Sequence, residues 1–318
     1  MTPEHFDELA LEVFHFQSRY NPVYARYLSL LGKKTEMVRD ITDIPFLPIS
    51  LFKTHTLKTG EWPSGLIFSS SGTTQQTLTS QHHLRDGAWY LQNARRGFEC
   101  FYGPLSDFCF LALLPAYLER TGSSLVFMAD DFIRRSSYPD SGFFLYDIDN
   151  LLEIIKRCQA QRIPAILLGV SFALLDLAEQ YQPQLEGIIV METGGMKGRG
   201  RELTRSELHD RLTQAFGVTA IHSEYGMTEL FSQAYSKGNG LYYPTPTLKV
   251  LARELTDPLQ SYRSARTGVL NIIDLANLDT IAFIATDDLG RVHPDGSFEV
   301  LGRMDHSDLR GCNLMVAD

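Results

Sequence analysis

Short apolar runs alternate with amphipathic stretches from about residue 66 to residue 244. The apolar runs have the length of buried strands, and the stretches between them have helical spacing, at residues 87–98, 149–161, 172–181 and 204–216. Strands that alternate with helices predict a mainly parallel sheet that is buried on both faces. The runs interpreted as strands read GLIFSS, FCFLALLP, SSLVFMA, PAILLG, LEGIIVME and VTAIHSEYG.

The two ends of the chain follow different patterns. Residues 1–40 are predicted to be helical because Phe6, Leu9 and Val13 fall close to one face. After Pro244, strand-like segments separated by turns predict a small β-barrel-like subdomain. We therefore predict an α/β fold with mainly parallel sheets flanked by helices in two subdomains, plus that C-terminal part. The predicted boundaries are 1–65 for an N-terminal helical cap, 66–164 and 165–244 for the two α/β subdomains, 245–303 for the β subdomain, and 304–318 for a hinge and short tail.

Composition narrows the function classes. The chain has 318 residues, 44% of them hydrophobic, so it can bury a substantial core. Its formal net charge of -9 argues against a nucleic-acid partner, which requires a basic face. The N-terminus does not read as a signal peptide and no apolar run is long enough for a membrane span, so we expect a cytoplasmic protein without integral membrane contact. The four cysteines form no CxxC pair and indicate neither a disulfide framework nor a zinc site.

The run Tyr225-Gly226-Met227-Thr228-Glu229 follows an apolar stretch and combines three kinds of ligand-binding group. An aromatic face can stack on a base, a hydroxyl can donate to a phosphate oxygen, and a carboxylate can hold Mg²⁺. An ordinary helix start is the alternative interpretation.

Three further segments combine small, charged or hydroxyl side chains at predicted strand ends. The hydroxyl-rich SSSGTT follows the strand-like GLIF, and its small residues would let backbone N–H groups approach a phosphate; a surface loop is the alternative. The segment TGGMKGRGR supplies a glycine pair and cations, or else a solvated turn. Asp287 and Asp288 end another strand and can accept both hydroxyls of a ribose, although surface aspartates in a hairpin would look similar.

Taken in order, SSSGTT, TGGMK, YGMTE, TDDLGR and GRMD resemble the motifs of the adenylate-forming (acyl-activating) enzymes, over residues 66–311. In that family a carboxylate attacks ATP to give an acyl-adenylate and pyrophosphate, and the acyl group then passes to a thiol. The resemblance implies ATP/AMP and Mg²⁺ as ligands and a carboxylic acid as substrate. It implies phosphate contacts for Ser70, Ser71, Gly72, Thr73 and Thr74, adenine or nucleotide contacts for Gly194, Gly195, Tyr225 and Gly226, an α-phosphate contact for Thr228, Mg²⁺ binding for Glu229, and ribose binding for Asp288 with Arg303.

The sequence departs from the family pattern in two places. Gln75 and Gln76 stand where the phosphate loop normally continues with Gly and then Lys, so Lys197 is our candidate for meeting the phosphate charge. The chain ends at Asp318, soon after Asp305, which resembles the hinge position, so we expect the family's mobile lid domain to be missing.

That short ending resembles one branch, the LuxE-type acyl-protein synthetases of the bacterial luciferase fatty-acid reductase system, close to phenylacetate-CoA-ligase-like proteins. The branch takes a fatty acyl group onto a cysteine near its own C-terminus, which implies Cys312 as the acceptor here. A carrier protein or coenzyme A as acceptor, a leftover cysteine at 312, and a homodimer all stay open.

Two rival functions also stay open. Gly169-Val170-Ser171-Phe172-Ala173 lies between a predicted strand and a predicted helix, as in a serine esterase whose nucleophile is Ser171. A base for that reaction would come from His209, His222, His293 or His306. The other rival is a non-catalytic descendant that binds a nucleotide or an acyl carrier.

Overall fold

One long mixed sheet organises the protein. The computed structural model describes residues 2–70, 78–115, 122–194, 203–255, 257, 259–263 and 266–304. Its strands are β1 Leu47–Pro48, β2 Leu66–Ser69, β3 Gln81–Leu84, β4 Cys109–Leu113, β5 Gly142–Phe143, β6 Ala165–Val170, β7 Ile188–Thr193, β8 His222–Tyr225, β9 Ala234–Ser236, β10 Leu241–Pro244, β11 Leu248–Arg253, β12 Ser261–Tyr262, β13 Arg266–Asp274, β14 Phe283–Val292 and β15 Phe298–Arg303.

Helices cover the sheet, and most begin at a side-chain cap. The Thr204 hydroxyl and the Glu207 carboxylate form a capping box, and Asn21, Asp86 and Ser123 each accept a hydrogen bond from a first-turn N–H. The α-helices of the described residues are α1 Pro3–Tyr20, α2 Pro22–Leu30, α3 Gly87–Tyr102, α4 Ser124–Arg135, α5 Ile148–Gln161, α6 Ser171–Gln180 and α7 Arg205–Phe216. None of these described helices combines the length and apolar character that a membrane span requires.

The sheet has a parallel half and an antiparallel half. Its strand order is β12-β11-β13-β14-β15-β10-β9-β8-β7-β6-β4-β5, with β1 on β14. Strands β4 to β8 pair in parallel, and from β8 to β12 every neighbouring pair along the path is antiparallel. The predicted α/β fold is confirmed. The barrel-like shape of the C-terminal part stays a prediction.

The central parallel strands β4 and β6 are apolar throughout because helices cover both of their faces. Along β4, Cys109, Leu111 and Leu113 belong to the core under α5, α6 and α7, whereas Phe110 and Ala112 belong to the core under α3 and α4. Successive side chains of a strand point to opposite faces, so a run without polar positions needs two apolar layers. A third core lies between α1, α2 and the C-terminal strands.

The prediction of a strand at SSLVFMA is wrong, because this segment begins α4. The Ser123 hydroxyl accepts a hydrogen bond from the Val126 N–H, and the buried residues Val126, Ala129 and Phe132 recur every three positions. Asp130 pairs with Arg134 four positions later on the same helix. The helical period becomes visible only in a window that continues past the apolar run.

Strand β2 also departs from the prediction. It forms a two-stranded antiparallel hairpin with β3 and is not part of the parallel sheet. Ser70 and Ser80 form the base of that hairpin, where the Ser70 N–H donates to the Ser80 carbonyl at 3.1 Å and the Ser80 N–H donates to the Ser70 hydroxyl at 3.0 Å.

Replacing Asp274 with alanine should strongly destabilise the fold. The fully buried Asp274 carboxylate accepts hydrogen bonds from the N–H groups of Phe231, Ser232 and Ala276 and from the Ser232 hydroxyl, at 2.6–3.1 Å. Alanine would leave the three buried N–H donors without a partner, so we expect the free energy of unfolding to fall by about 3 to 5 kcal/mol. Urea denaturation measures this loss. Asp274→Asn keeps one acceptor oxygen and should lose less; equal losses in the two variants would contradict the assignment.

Candidate functional site

Two of the predicted motifs, TGGMK and YGMTE, begin at the same edge of the sheet. Strands β7 and β8 are parallel neighbours with Thr193 opposite Glu224, so Gly194 and Tyr225 both lie where their strands end. Gly194 has a φ of +74°, a backbone conformation that favours glycine. Carboxyl ends of parallel strands are where open α/β sheets bind their ligands.

Tyr225, Asp288 and Arg303 form a second part of this site, although they lie far apart in the sequence. The Tyr225 hydroxyl donates to Asp288 Oδ2 at 2.8 Å. Asp288 and Arg303 are opposite each other on β14 and β15, and Arg303 Nε lies 3.5 Å from Asp288 Oδ1. The Tyr225 ring is 7% exposed and makes edge contacts with Tyr242 and Phe298. Residues of β8, β14 and β15 thus bring an aromatic ring, a carboxylate and a guanidinium together.

The Thr228–Glu229 turn comes two residues after the end of β8 and is neither helix nor strand. The alternative of a helix start is therefore wrong. The carboxylate of Glu229 is buried and receives a hydrogen bond from the Ser80 hydroxyl. Ser80 also pairs with Ser70, so it joins the base of the β2–β3 hairpin to the carboxylate that we predicted to bind Mg²⁺.

Burial and nearby cations act in opposite directions on the two carboxylates. Burial raises the pKa of Glu229 and that of Asp288 above their ordinary values. The positive charge of Arg303 opposes this increase in both pKa values, and Lys53 opposes it at Glu229. One guanidinium that is 68% exposed therefore lies within electrostatic reach of both parts of the site.

Glu224 lies behind the turn, in an apolar setting. It lines a small cavity with Phe110, Met191 and Tyr235, and burial raises its pKa to about 7, with a smaller contribution from Glu192 and an opposing hydrogen bond from Thr193. A Cβ at position 226 would lie 2.4 Å from Glu224 Oε1, so any other residue there would force the carboxylate to shift.

Ser171 does not have the partners of an esterase nucleophile. It is 1% exposed, and its hydroxyl lies 3.1 Å from Glu192 Oε2 and 3.0 Å from the Gly194 carbonyl. His209 contacts the other oxygen of Glu192, and His222 contacts the Tyr102 hydroxyl. Within the described ranges no histidine contacts the Ser171 hydroxyl, so this geometry provides no base for an attack by Ser171.

Several predicted site residues lie outside the described residues: Ser71, Gly72, Thr73, Thr74, Gly195, Lys197, Asp305, His306 and Cys312. The structure brings together the predicted residues that it describes, namely Ser70, Gly194, Tyr225, Gly226, Thr228, Glu229, Asp288 and Arg303, along this edge and the neighbouring hairpin. It adds five residues that the sequence interpretation missed: Lys53, Ser80, His82, Arg205 and Asn277. None of the five belongs to a motif quoted above.

The chemistry of this site suits a metal ion that is bound by few protein side chains and partly by the phosphates of a substrate. The residues that the structure describes contain no cluster of three or more His, Cys, Asp or Glu side chains suited to a metal. Mg²⁺ is commonly bound through one or two carboxylates together with substrate phosphates and water. Glu229 fits such a role as a single carboxylate beside the hairpin base.

Solved structures that are similar to this chain include two of one ligase and one of a second protein. 2-Hydroxyisobutyryl-CoA ligase with 2-HIB-AMP and CoA has a TM-score of 0.68 at 14% identity, covering 96% of this chain and 70% of that one. The same ligase in the postadenylation state with 2-HIB-AMP gives 0.66 at 13% identity, covering 95% and 68%. ATP-bound MatB from Rhodopseudomonas palustris gives 0.56 at 16% identity, covering 78% and 49%. The chain has the fold of these nucleotide-bound structures.

The chain spans about half the length of the MatB structure. No protein-family model and no curated protein matches its sequence. At these identities the likeness establishes the fold, and the roles of individual residues rest on the geometry described above.

Replacing Glu224 with glutamine should change how stability depends on pH. The pKa of Glu224 is about 7 in the fold against 4.5 ordinarily, so between these values the folded state holds a proton that the unfolded state has released. Wild-type stability from this group is therefore lost as the pH rises from about 4.5 through 7. Glutamine does not titrate and avoids this loss. The free energy of unfolding of the variant relative to wild type should therefore increase by on the order of 2 to 3 kcal/mol as the pH rises from 5 to 8.

Urea denaturation at the two pH values measures this difference. Glu179→Gln, on the exposed face of α6, controls for the removal of one negative charge. A Glu224→Gln effect that is the same at pH 5 and pH 8 would contradict the assigned protonation.

Proposed function

We propose that this chain catalyses ATP-dependent, AMP-forming activation of a carboxylic acid and transfers the acyl group to a thiol. A substrate carboxylate oxygen would bond to the α-phosphorus of ATP, the bond from that phosphorus to the bridging oxygen would break, and pyrophosphate would leave. The thiolate would then attack the acyl carbon and release AMP. The observation that supports this most is the Tyr225–Asp288–Arg303 contact beside the Thr228–Glu229 turn, with Arg303 acting on both carboxylates.

Each part of the site has a proposed task. Asp288 would accept the ribose hydroxyls, since a hydroxyl donor stabilises a buried carboxylate. Tyr225 would contact the base and hold Asp288, and Thr228 would donate to the α-phosphate. Mg²⁺ would neutralise phosphate charge, and Glu229 is the residue that would hold it. Arg303 and Lys53 supply positive charge near Glu229 in an acidic chain.

Solved structures of the same fold support the order of the two steps. The 2-hydroxyisobutyryl-CoA ligase structure holds 2-HIB-AMP and CoA together. By analogy we propose an acyl-AMP intermediate and a thiol acceptor for this chain. The acid is proposed to be fatty or otherwise apolar on the resemblance to the LuxE-type branch.

Mg²⁺-dependent exchange between ATP and pyrophosphate, measured over a panel of carboxylic acids, tests the proposal. Glu229→Gln removes the negative charge that would hold the ion and should lower the exchange rate by about 100-fold. Asp288→Ala should raise the KM for ATP by about 10- to 100-fold, because a hydrogen bond to a charged group is lost. Asp176→Asn, on the exposed face of α6, is the matched control.

Three outcomes of this experiment separate the functions. Exchange that depends on Glu229 supports activation. ATP binding without exchange would identify a nucleotide-binding module. Ester cleavage without ATP that disappears in Ser171→Ala would show an esterase and overturn the proposal.

Cys312 is the proposed acyl acceptor, and the described cysteines define the control. Cys109 and Cys158 are buried, and burial raises the pKa of Cys109 to about 12 and also raises that of Cys158, which disfavours the thiolate. Cys100 is exposed. Incubation with labelled acid and ATP should give a hydroxylamine-labile adduct that Cys312→Ser loses and Cys100→Ser keeps. An adduct of wild-type strength in Cys312→Ser would show that another acceptor is used.

A further inference from the structure

The Thr228–Glu229 turn is fixed through its backbone carbonyls by two buried side chains from other parts of the chain. His82 Nδ1 lies 2.8 Å from the Thr228 carbonyl oxygen, and Asn277 Nδ2 donates to the Glu229 carbonyl at 2.9 Å. Both His82 and Asn277 are fully buried. Thr228 and Glu229 are the residues predicted to contact phosphate and Mg²⁺. The backbone carbonyl of each therefore has its own side-chain donor.

The contacts of His82 define its tautomer. A carbonyl oxygen only accepts, so Nδ1 carries the proton and donates to Thr228. Nε2 lies 3.0 Å from the Thr280 hydroxyl, which then donates to it. Burial lowers the pKa of His82 to about 4, so the ring is neutral at neutral pH.

Neither donor is free to move. The Asn277 carbonyl accepts from Gln17 Nε2 at 2.9 Å, and Gln17 Oε1 accepts from the Ala282 N–H, so helix α1 holds the 277–282 turn at both ends. His82 packs against the rings of Phe52 and Phe231. It also lies on β3 two residues after Ser80, whose hydroxyl bonds the Glu229 carboxylate.

We propose that His82 and Asn277 are positioning residues that hold the Thr228–Glu229 peptide so that the Thr228 hydroxyl and the Glu229 carboxylate face the phosphates and Mg²⁺. The proposal rests on the proposed function, since it concerns the same turn. Loss of either donor leaves a buried carbonyl without a partner, and the peptide can then rotate to find one. Rotation of this peptide would displace the Thr228 hydroxyl and the Glu229 carboxylate together. Loss of a residue that orients metal or phosphate ligands typically lowers metal affinity or activity by about 10- to 100-fold.

Two substitutions at His82 separate positioning from packing. An asparagine amide nitrogen reaches about as far as Nδ1, whereas a glutamine amide nitrogen reaches about as far as Nε2. His82→Asn can therefore still donate to Thr228, and His82→Gln keeps the contact with Thr280 but loses that donor. Both variants lose the same ring contacts, so they should have similar melting temperatures.

The expected result is a difference in function between two equally stable variants. His82→Gln should lower kcat for ATP–pyrophosphate exchange by about 10- to 100-fold and raise the Mg²⁺ concentration for half-maximal rate, with the KM for the acid unchanged. His82→Asn should recover most of that loss. Asn277→Asp, which replaces the donor amide with an acceptor, should behave like His82→Gln. His83→Gln is the control, because His83 contacts Ser64 and has no bond to the turn.

Calorimetric titration of ATP at several Mg²⁺ concentrations on the same variants keeps the two proposals separable. If wild type binds ATP with Mg²⁺ but shows no exchange, the proposed function fails. In that case, weaker Mg²⁺-dependent ATP binding by His82→Gln than by His82→Asn still supports the positioning role of His82. Equal losses in the two variants, or a Mg²⁺ dependence unchanged from wild type in His82→Gln, overturn the positioning role. Absence of ATP binding in wild type overturns both proposals.

Discussion

The segment between β8 and β9 has no regular secondary structure and is buried from Glu229 to Gln233, and this constraint determines how the site is built. Buried backbone N–H and C=O groups need hydrogen-bond partners, and a non-regular segment cannot supply them from a helix or a sheet. Here the partners are side chains of distant elements: His82 for the Thr228 carbonyl, Asn277 for the Glu229 carbonyl, Asn93 for the Phe231 carbonyl, and Asp274 for the N–H groups of Phe231 and Ser232.

That set of partners links two of the three cores of the described residues to one segment. Asn93 comes from α3, His82 from the β2–β3 hairpin, and Asp274 from the end of β13, and Gln17 of α1 fixes the turn that carries Asn277. The segment is therefore held by side chains from elements that lie far apart in the sequence. Hydrogen bonds from several elements restrict the movement of side chains that bind a ligand. This matters because an error of about 1 Å in the position of such a side chain can reduce activity about 100-fold.

The sequence predicted the α/β fold because the alternation of apolar runs and amphipathic stretches is a local property. A buried parallel strand is a short apolar run, and the residues after it lie at a known edge of the sheet, as Gly194 and Tyr225 do in the structure. Their roles in binding a ligand stay predictions. The partners of a buried carbonyl depend on tertiary packing, so no local pattern predicts His82 or Asn277. The error at α4 has a related cause. A seven-residue apolar window cannot distinguish a strand from a helix whose charged face begins at Asp130.

The electrostatics of the site suit the proposed anionic ligand although the chain is acidic. Glu229 and Asp288 are buried enough that their ionised forms are disfavoured, and Arg303 only partly compensates both. A cation beside Glu229, or hydroxyl donors at Asp288, would stabilise these anions and lower their pKa values. A polyphosphate accompanied by a divalent cation and a ribose would bring such groups together. Because the carboxylates are already held by Ser80 and Tyr225, the stabilisation would come from the ligand and would require little rearrangement of the protein.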